Sequence, residues 1–317
     1  MTGTEGVFAM PVWGFLLCLV AAACWAVSPI LIKIGLRRAG PNEVSPIRSI
    51  SYFATMLAIM LLFQPGRWPH LTPLMMLAVF ANVATSSVLG DQLYIYAINK
   101  IGASLAVSVN CAYPLITTVV SIFVLGEEIT PLIWIGTVCI IIGLLLVTQG
   151  VSKKKREKDP DRKSDLAAKT LLTGIALAAA SAVCSGVNNP FIKVIMREGG
   201  WSPVETYFLR SAAYVVIVWS VRLIQWRKFP HIVMPLRKVR LKSWLALLCG
   251  GFVALSMGGL LFGICVSVLP VSVVTPITAS SPLVTVVIAR LFYKERLTRA
   301  QNAGVIFVVF GSIAVSL

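Results

Sequence analysis

One carboxylate of this chain, Asp91, stands well inside an apolar run, about nine residues before Lys100. Holding it ionised in lipid costs roughly 2.5 kcal/mol or more, so it must face a cavity, bind a partner or carry a proton. As a functional group it would couple protons or bind a cation; as a structural one it would pair with a neighbouring helix. Two prolines stand about twelve residues into apolar runs of their own, Pro114 and Pro282. Each deprives a carbonyl four residues earlier of its helical partner, at Asn110 in one case and Thr278 in the other. Freed carbonyls beside polar side chains at membrane depth are suited to holding a small ligand. Tyr113 and Ser281 directly precede the prolines, and Tyr94 lies one turn beyond Gly90. The plain alternative is that the prolines only bend helices and the tyrosines only pack.

A further polar set is Ser28-Pro29 in one run and Asn188-Asn189-Pro190 in another, followed by Lys33 and Lys193. Adjacent asparagines in a membrane span point to a cavity or an interhelical hydrogen bond. The two lysines either snorkel to the interface or face a site. Catalytic chemistry has no such support. His70 and His231 fall in loops, and HExxH, GxSxG and P-loop patterns are missing from the sequence. The seven cysteines lie in apolar runs without a CxxC pair, so no metal site and no disulfide framework is indicated. The sequence therefore predicts neither an enzyme nor a cofactor.

The elements that carry these residues follow from composition. Of 317 residues, 57% are hydrophobic and 13% charged, and the mean hydropathy is +0.87, so the chain belongs in a lipid bilayer. Its net charge of +16 sits in short runs between apolar stretches, a layout of membrane orientation and not of nucleic-acid binding. Ten spans are predicted, at 11–34, 45–63, 72–97, 103–125, 131–149, 171–195, 203–223, 243–267, 271–291 and 300–317. Residues 151–169 form a charged, mobile cytoplasmic linker between five-span halves, 1–150 and 170–317. The tryptophans Trp13, Trp68, Trp134, Trp201, Trp226 and Trp244 fall near span ends, as interfacial anchors do.

The halves are copies. At a constant offset of 168 residues, Gly90 meets Gly258, Ser104 meets Ser272, Pro114 meets Pro282, Glu127 meets Glu295 and Thr130 meets Thr298. Asp91 meets Gly259, so its role belongs to one half. Five spans is an odd number, so the second copy must enter the membrane upside down, an inverted repeat. The predicted fold is thus an all-α polytopic membrane protein with ten transmembrane helices in two inverted five-helix repeats. All but four of the 28 Lys and Arg residues (Arg67, Lys193, Arg197 and Arg210) lie on one side, which places both termini outside. Glu127, three residues ahead of Thr130, is placed at least as well to tie its own turn together as to touch substrate.

Pro114, Gly126-Glu127, Thr130, Gly136 and Gly143, then Pro282, Glu295, Thr298, Gly304 and Gly311, resemble the closing pattern of EamA-like modules of the drug/metabolite transporter superfamily. Arg48 and Arg210, at the heads of the second spans, are similar to the arginine found there. The likeness covers the chain except the linker. Lys294 departs from it, replacing the glycine before Glu295, and the linker is longer and more charged. Members are drawn with both termini in the cytoplasm, opposite to the charge count, which is retained here. The resemblance implies a plasma-membrane secondary carrier that exports a small metabolite such as an amino acid, proton-coupled, by alternating access. Asp91 is the coupling candidate; Tyr94, Asn110, Tyr113, Pro114, Asn188, Asn189, Thr278, Ser281 and Pro282 are the cavity candidates. The alternatives are an exporter of lipophilic cations and a non-transporting scaffold or sensor.

Overall fold

The computed structural model describes residues 12–66, 68–156, 165–281, 283–284 and 299–316. Apolar stretches with few helix breakers become helices, and their ends fall at proline, glycine and capping residues. The helices are α1 (Val12–Gly35), α2 (Pro41–Phe63), α3 (Pro73–Ile101), α4 (Ala103–Asn110), α5 (Tyr113–Leu125) and α6 (Pro131–Arg156). They continue with α7 (Asp165–Gly199), α8 (Pro203–Lys228), α9 (Leu241–Val268), α10 (Val271–Thr278) and α11 (Arg299–Ser316). Ser202 starts α8 with a reciprocal cap: its hydroxyl accepts from the Glu205 N–H at 3.2 Å, and its N–H donates to Glu205 Oε2 at 2.7 Å.

Among the described residues, six helices are long and apolar enough to cross a membrane, in α1, α2, α3, α7, α8 and α9. The other expected spans take different forms. The fourth is broken at Cys111 and Ala112, so that Pro114 sits in the first turn of α5 and does not bend a continuous helix. That placement costs no hydrogen bond, because the first N–H groups of a helix lack internal partners anyway. The fifth and tenth have shorter apolar helical stretches, Pro131–Gly143 and Asn302–Val315. Of the ninth, Pro282 and residues 285–291 lie outside the described residues, as do Glu295 and Thr298 beyond it. The expected linker is helical at both edges, since α6 runs on to Arg156 and α7 begins at Asp165. Lysine and arginine are good helix formers and extend the apolar helix that precedes them. Trp201 also differs from expectation: it is buried against Gly199 and is not an interfacial anchor.

Two π-helical segments interrupt long helices, Val83–Gly90 in α3 and Gly251–Gly258 in α9. They stand 168 residues apart, as do α4 and α10, so local structure recurs at the offset seen in the sequence. Side chains take up carbonyls in and around the widened turns. Ser86 Oγ donates to Asn82 O at 2.6 Å, and Trp25 Nε1 donates across to Ala254 O at 3.0 Å.

The helices pack reciprocally: α2 against α8, α6 against α11, α1 against α9 and α7 against α3. Glycines set the α6–α11 contact. A Cβ on Gly136 would lie 2.7 Å from Gly311 O, and one on Gly143 would lie 2.6 Å from Gly304 O. Both obstacles are backbone, which cannot turn aside. Gly143→Leu is therefore expected to destabilise the protein by about 1–3 kcal/mol or more, read as a lower thermal midpoint in detergent. Ile142→Leu, on the exposed face of the same helix, should leave that midpoint in place. Equal melting of the two variants would show that α6 and α11 do not meet along these glycines.

Candidate functional site

A cavity of about 260 Å³ opens among α1, α2, α3, α4, α5, α7, α8 and α9. Its polar centre is built on two arginines, Arg48 of α2 and Arg210 of α8, both buried. Burying a guanidinium is costly, so each must be supplied with acceptors. Arg48 Nη1 donates to both oxygens of Asp91, at 3.0 and 2.8 Å, and its Nη2 lies 3.4 Å from Ser28 Oγ. The carboxylate also accepts from Tyr214 Oη at 3.2 Å and Ser45 Oγ at 3.5 Å. Asp91 is the first residue of α3 beyond its π segment, and its side chain meets α2.

Arg210 has a different environment. Its guanidinium donates to Asn82 Oδ1 and, at 3.2 Å, to Ser87 Oγ, and it lies 5.5 Å from the centre of the Tyr207 ring. These partners are neutral, and among the described residues no carboxylate pairs with it. The Nε–H groups of both arginines are buried without a partner. Aromatic rings supply the apolar wall. Trp25 and Phe262 pack with centroids 5.4 Å apart, and Tyr94 and Tyr113 also line the cavity.

The structure brings together Asp91, Tyr94, Asn110, Tyr113, Asn189 and Ser281 at this cavity. The break after Asn110 leaves its Oδ1 buried and unbonded there. Three other candidates are not in the lining. Pro114 is buried in α5, its carbonyl accepting from Thr118 Oγ1 at 2.9 Å. Asn188 turns toward α3, where its Oδ1 accepts from Thr85 Oγ1 at 2.9 Å. Thr278 donates within its own helix to Val274 O at 2.9 Å. Pro282 lies outside the described residues.

Neither Lys33 nor Lys193 lines the cavity. Lys33 is exposed, whereas Lys193 Nζ donates to Leu269 O at 2.8 Å and stands 3.8 Å from Glu127. Glu127 does more than tie its own turn. Its two oxygens accept from the N–H groups of Val271 and Ser272, at 2.7 and 3.0 Å, capping α10 across the molecule. Gly126, with φ +65°, supplies the left-handed turn that ends α5 and releases Glu127 toward α10. Sequence reasoning also missed the buried Glu43–Arg222 pair at 3.4 Å. An acid in the first turn of an apolar helix was the available signal.

A bilayer-length helical bundle around a cavity lined by aromatic rings, small polar residues and a few charged side chains is the arrangement of a multi-pass membrane transporter. Residues 12–149 and 172–317 match the EamA-like transporter family, and the chain belongs to that family. It is 23% identical over 300 residues to a probable amino-acid metabolite efflux pump of Salmonella typhimurium, covering 94% of this chain and 92% of the relative. A protein of known crystal structure shares the fold with a TM-score of 0.74 at 16% identity, over 96% of this chain and 98% of the other.

Breaking a buried pair leaves one charge stranded, whereas removing both partners does not. Asp91→Ala is expected to cost about 3–5 kcal/mol of stability, and Arg48→Met/Asp91→Leu to recover most of that loss. Detergent-solubilised thermal unfolding of the single and double variants measures the difference. A double variant no more stable than the single one would show that the pair is not formed.

Proposed function

We propose that this transporter is a secondary active exporter of small metabolites of the amino-acid class, coupled to protons and working by alternating access at the central cavity. The observation that carries the reading is the cavity itself, in which Asn110 and Asn189 are set among aromatic rings. The similarity to a relative named as an efflux pump supports export. In this reading the chain forms ten spans as two inverted repeats, 1–150 and 170–317, joined by 151–169. Reciprocal packing of α1 on α9 and α7 on α3 supports it, because two copies related by a two-fold axis exchange contacts in this way. The protein sits in the cell membrane with its basic loops in the cytoplasm and its termini outside.

Alternating access requires contacts that open and close the two ends of the cavity. The Glu127 cap on α10, with Lys193 on Leu269 O, is such a contact, because it joins the α5–α6 turn to the broken helix beside the cavity. Coupling is assigned to Asp91. A proton taken up there removes the negative partner of Arg48, and the hydrogen bonds among α1, α2, α3 and α8 must then rearrange.

Proteoliposomes containing the purified protein test this. Amino-acid counterflow is expected without a gradient, and accumulation is expected when a pH gradient is imposed. Asp91→Asn should abolish the accumulation and retain counterflow. Full gradient-driven flux in Asp91→Asn would remove Asp91 from the mechanism. Movement of lipophilic cations with no amino-acid flux would replace the substrate class, and a chain that moves nothing would be a scaffold.

A further inference from the structure

The two arginines of the cavity occupy similar places in the two halves and are unequal in charge environment. Each is followed by serine and stands near the head of the second span of its half, and α2 and α8 pack directly on one another. Arg48 is neutralised by Asp91. The position related to Asp91 by the 168-residue offset is Gly259, which has no side chain to offer Arg210. Gly259 instead receives the Tyr207 ring, to which a Cβ at that position would lie 2.7 Å away. The charge of Arg210 is therefore met by an amide, the hydroxyls of Ser87 and Tyr52 and a ring face, all neutral. Arg48 and Asp91 cancel, so the described lining of the cavity keeps one uncompensated positive charge. That charge is more than nine-tenths buried and belongs to a side chain that lines the cavity.

The geometry points to Arg210 as the residue that recognises a carboxylate of the transported molecule, so that substrates are small organic acids or amino acids bearing a free carboxylate. This rests on the central cavity being the transport site. A guanidinium binds a carboxylate through two parallel N–H donors, and here a buried Nε–H without a partner stands beside the two Nη groups. In a site shielded from water such a charge-assisted contact also selects, because a ligand without the acid leaves the cation unpaid. Ser87 and Asn82 hold the guanidinium in place while the cavity is empty. The Trp25, Phe262 and Tyr94 side chains offer the apolar remainder of the ligand a surface. The same charge opposes entry of a lipophilic cation.

The test uses the full-length protein in detergent and in proteoliposomes, with leucine, phenylalanine and threonine as probes beside their carboxamides. In the wild type at least one free acid is expected to stabilise the protein against heat and to drive counterflow. Its carboxamide should bind about tenfold to a hundredfold more weakly. Arg210→Gln should erase the preference. Because that variant also strips Asn82 and Ser87 of a donor, Ser87→Asp serves as the second. It gives Arg210 an internal carboxylate within reach of the 3.2 Å contact and is expected to keep the fold while losing free-acid binding. Equal binding of acid and amide by the wild type overturns the inference and leaves the transport reading standing. Unchanged acid preference in folded Ser87→Asp or Arg210→Gln overturns it as well. Absence of both binding and counterflow for every probe overturns the inference together with the reading on which it rests.

Discussion

A guanidinium held away from water must be answered by acceptors, and two such groups stand at the centre of this protein. Arg48 reaches Asp91 and Ser28, and Asp91 in turn holds Tyr214 and Ser45, so one charge pair links α1, α2, α3 and α8. Arg210 reaches Asn82 and Ser87 and ties α8 to α3. These cross-braces hold apolar helices that have little hydrophobic reason to prefer one another over lipid. They also fix where polarity is concentrated.

Around that centre the helices are not continuous, and the irregularities fall beside the cavity. Backbone groups released in a membrane must be satisfied by protein or lie along a polar space. The π segments of α3 and α9 meet that condition through Ser86 and Trp25, and the break between α4 and α5 lies along the polar cavity. Where close regular packing is needed instead, α6 and α11 use glycine against glycine and remain unbroken at the contact. The molecule thus separates a tightly packed helix pair from a group of interrupted helices around open space.

Much of the architecture was legible in the chain. Span limits agreed with the helices to within a few residues for α1, α8 and α9, because apolar length and capping residues are local properties. The proline at position 114 marked a discontinuity, although the helix restarts at Tyr113 where a bend was expected. Six of the ten site candidates line the cavity. Asn188 and Thr278 do not, since a polar residue on a helix can satisfy itself on a neighbouring carbonyl or hydroxyl as readily as face a void. The linker was misjudged at its edges because charged residues that read as disorder also extend helices.

Which residues would be buried in lipid, where helices would stop and that the two halves share a pattern were determined by the sequence, through hydropathy, proline and glycine acting over short distances. Which polar groups meet was decided only in three dimensions. Arg48 finds Asp91 43 residues away, and Glu127 finds the α10 terminus 144 residues away. The rotation of a helix about its axis is set by the helices packed against it, and no local stretch of chain contains that information.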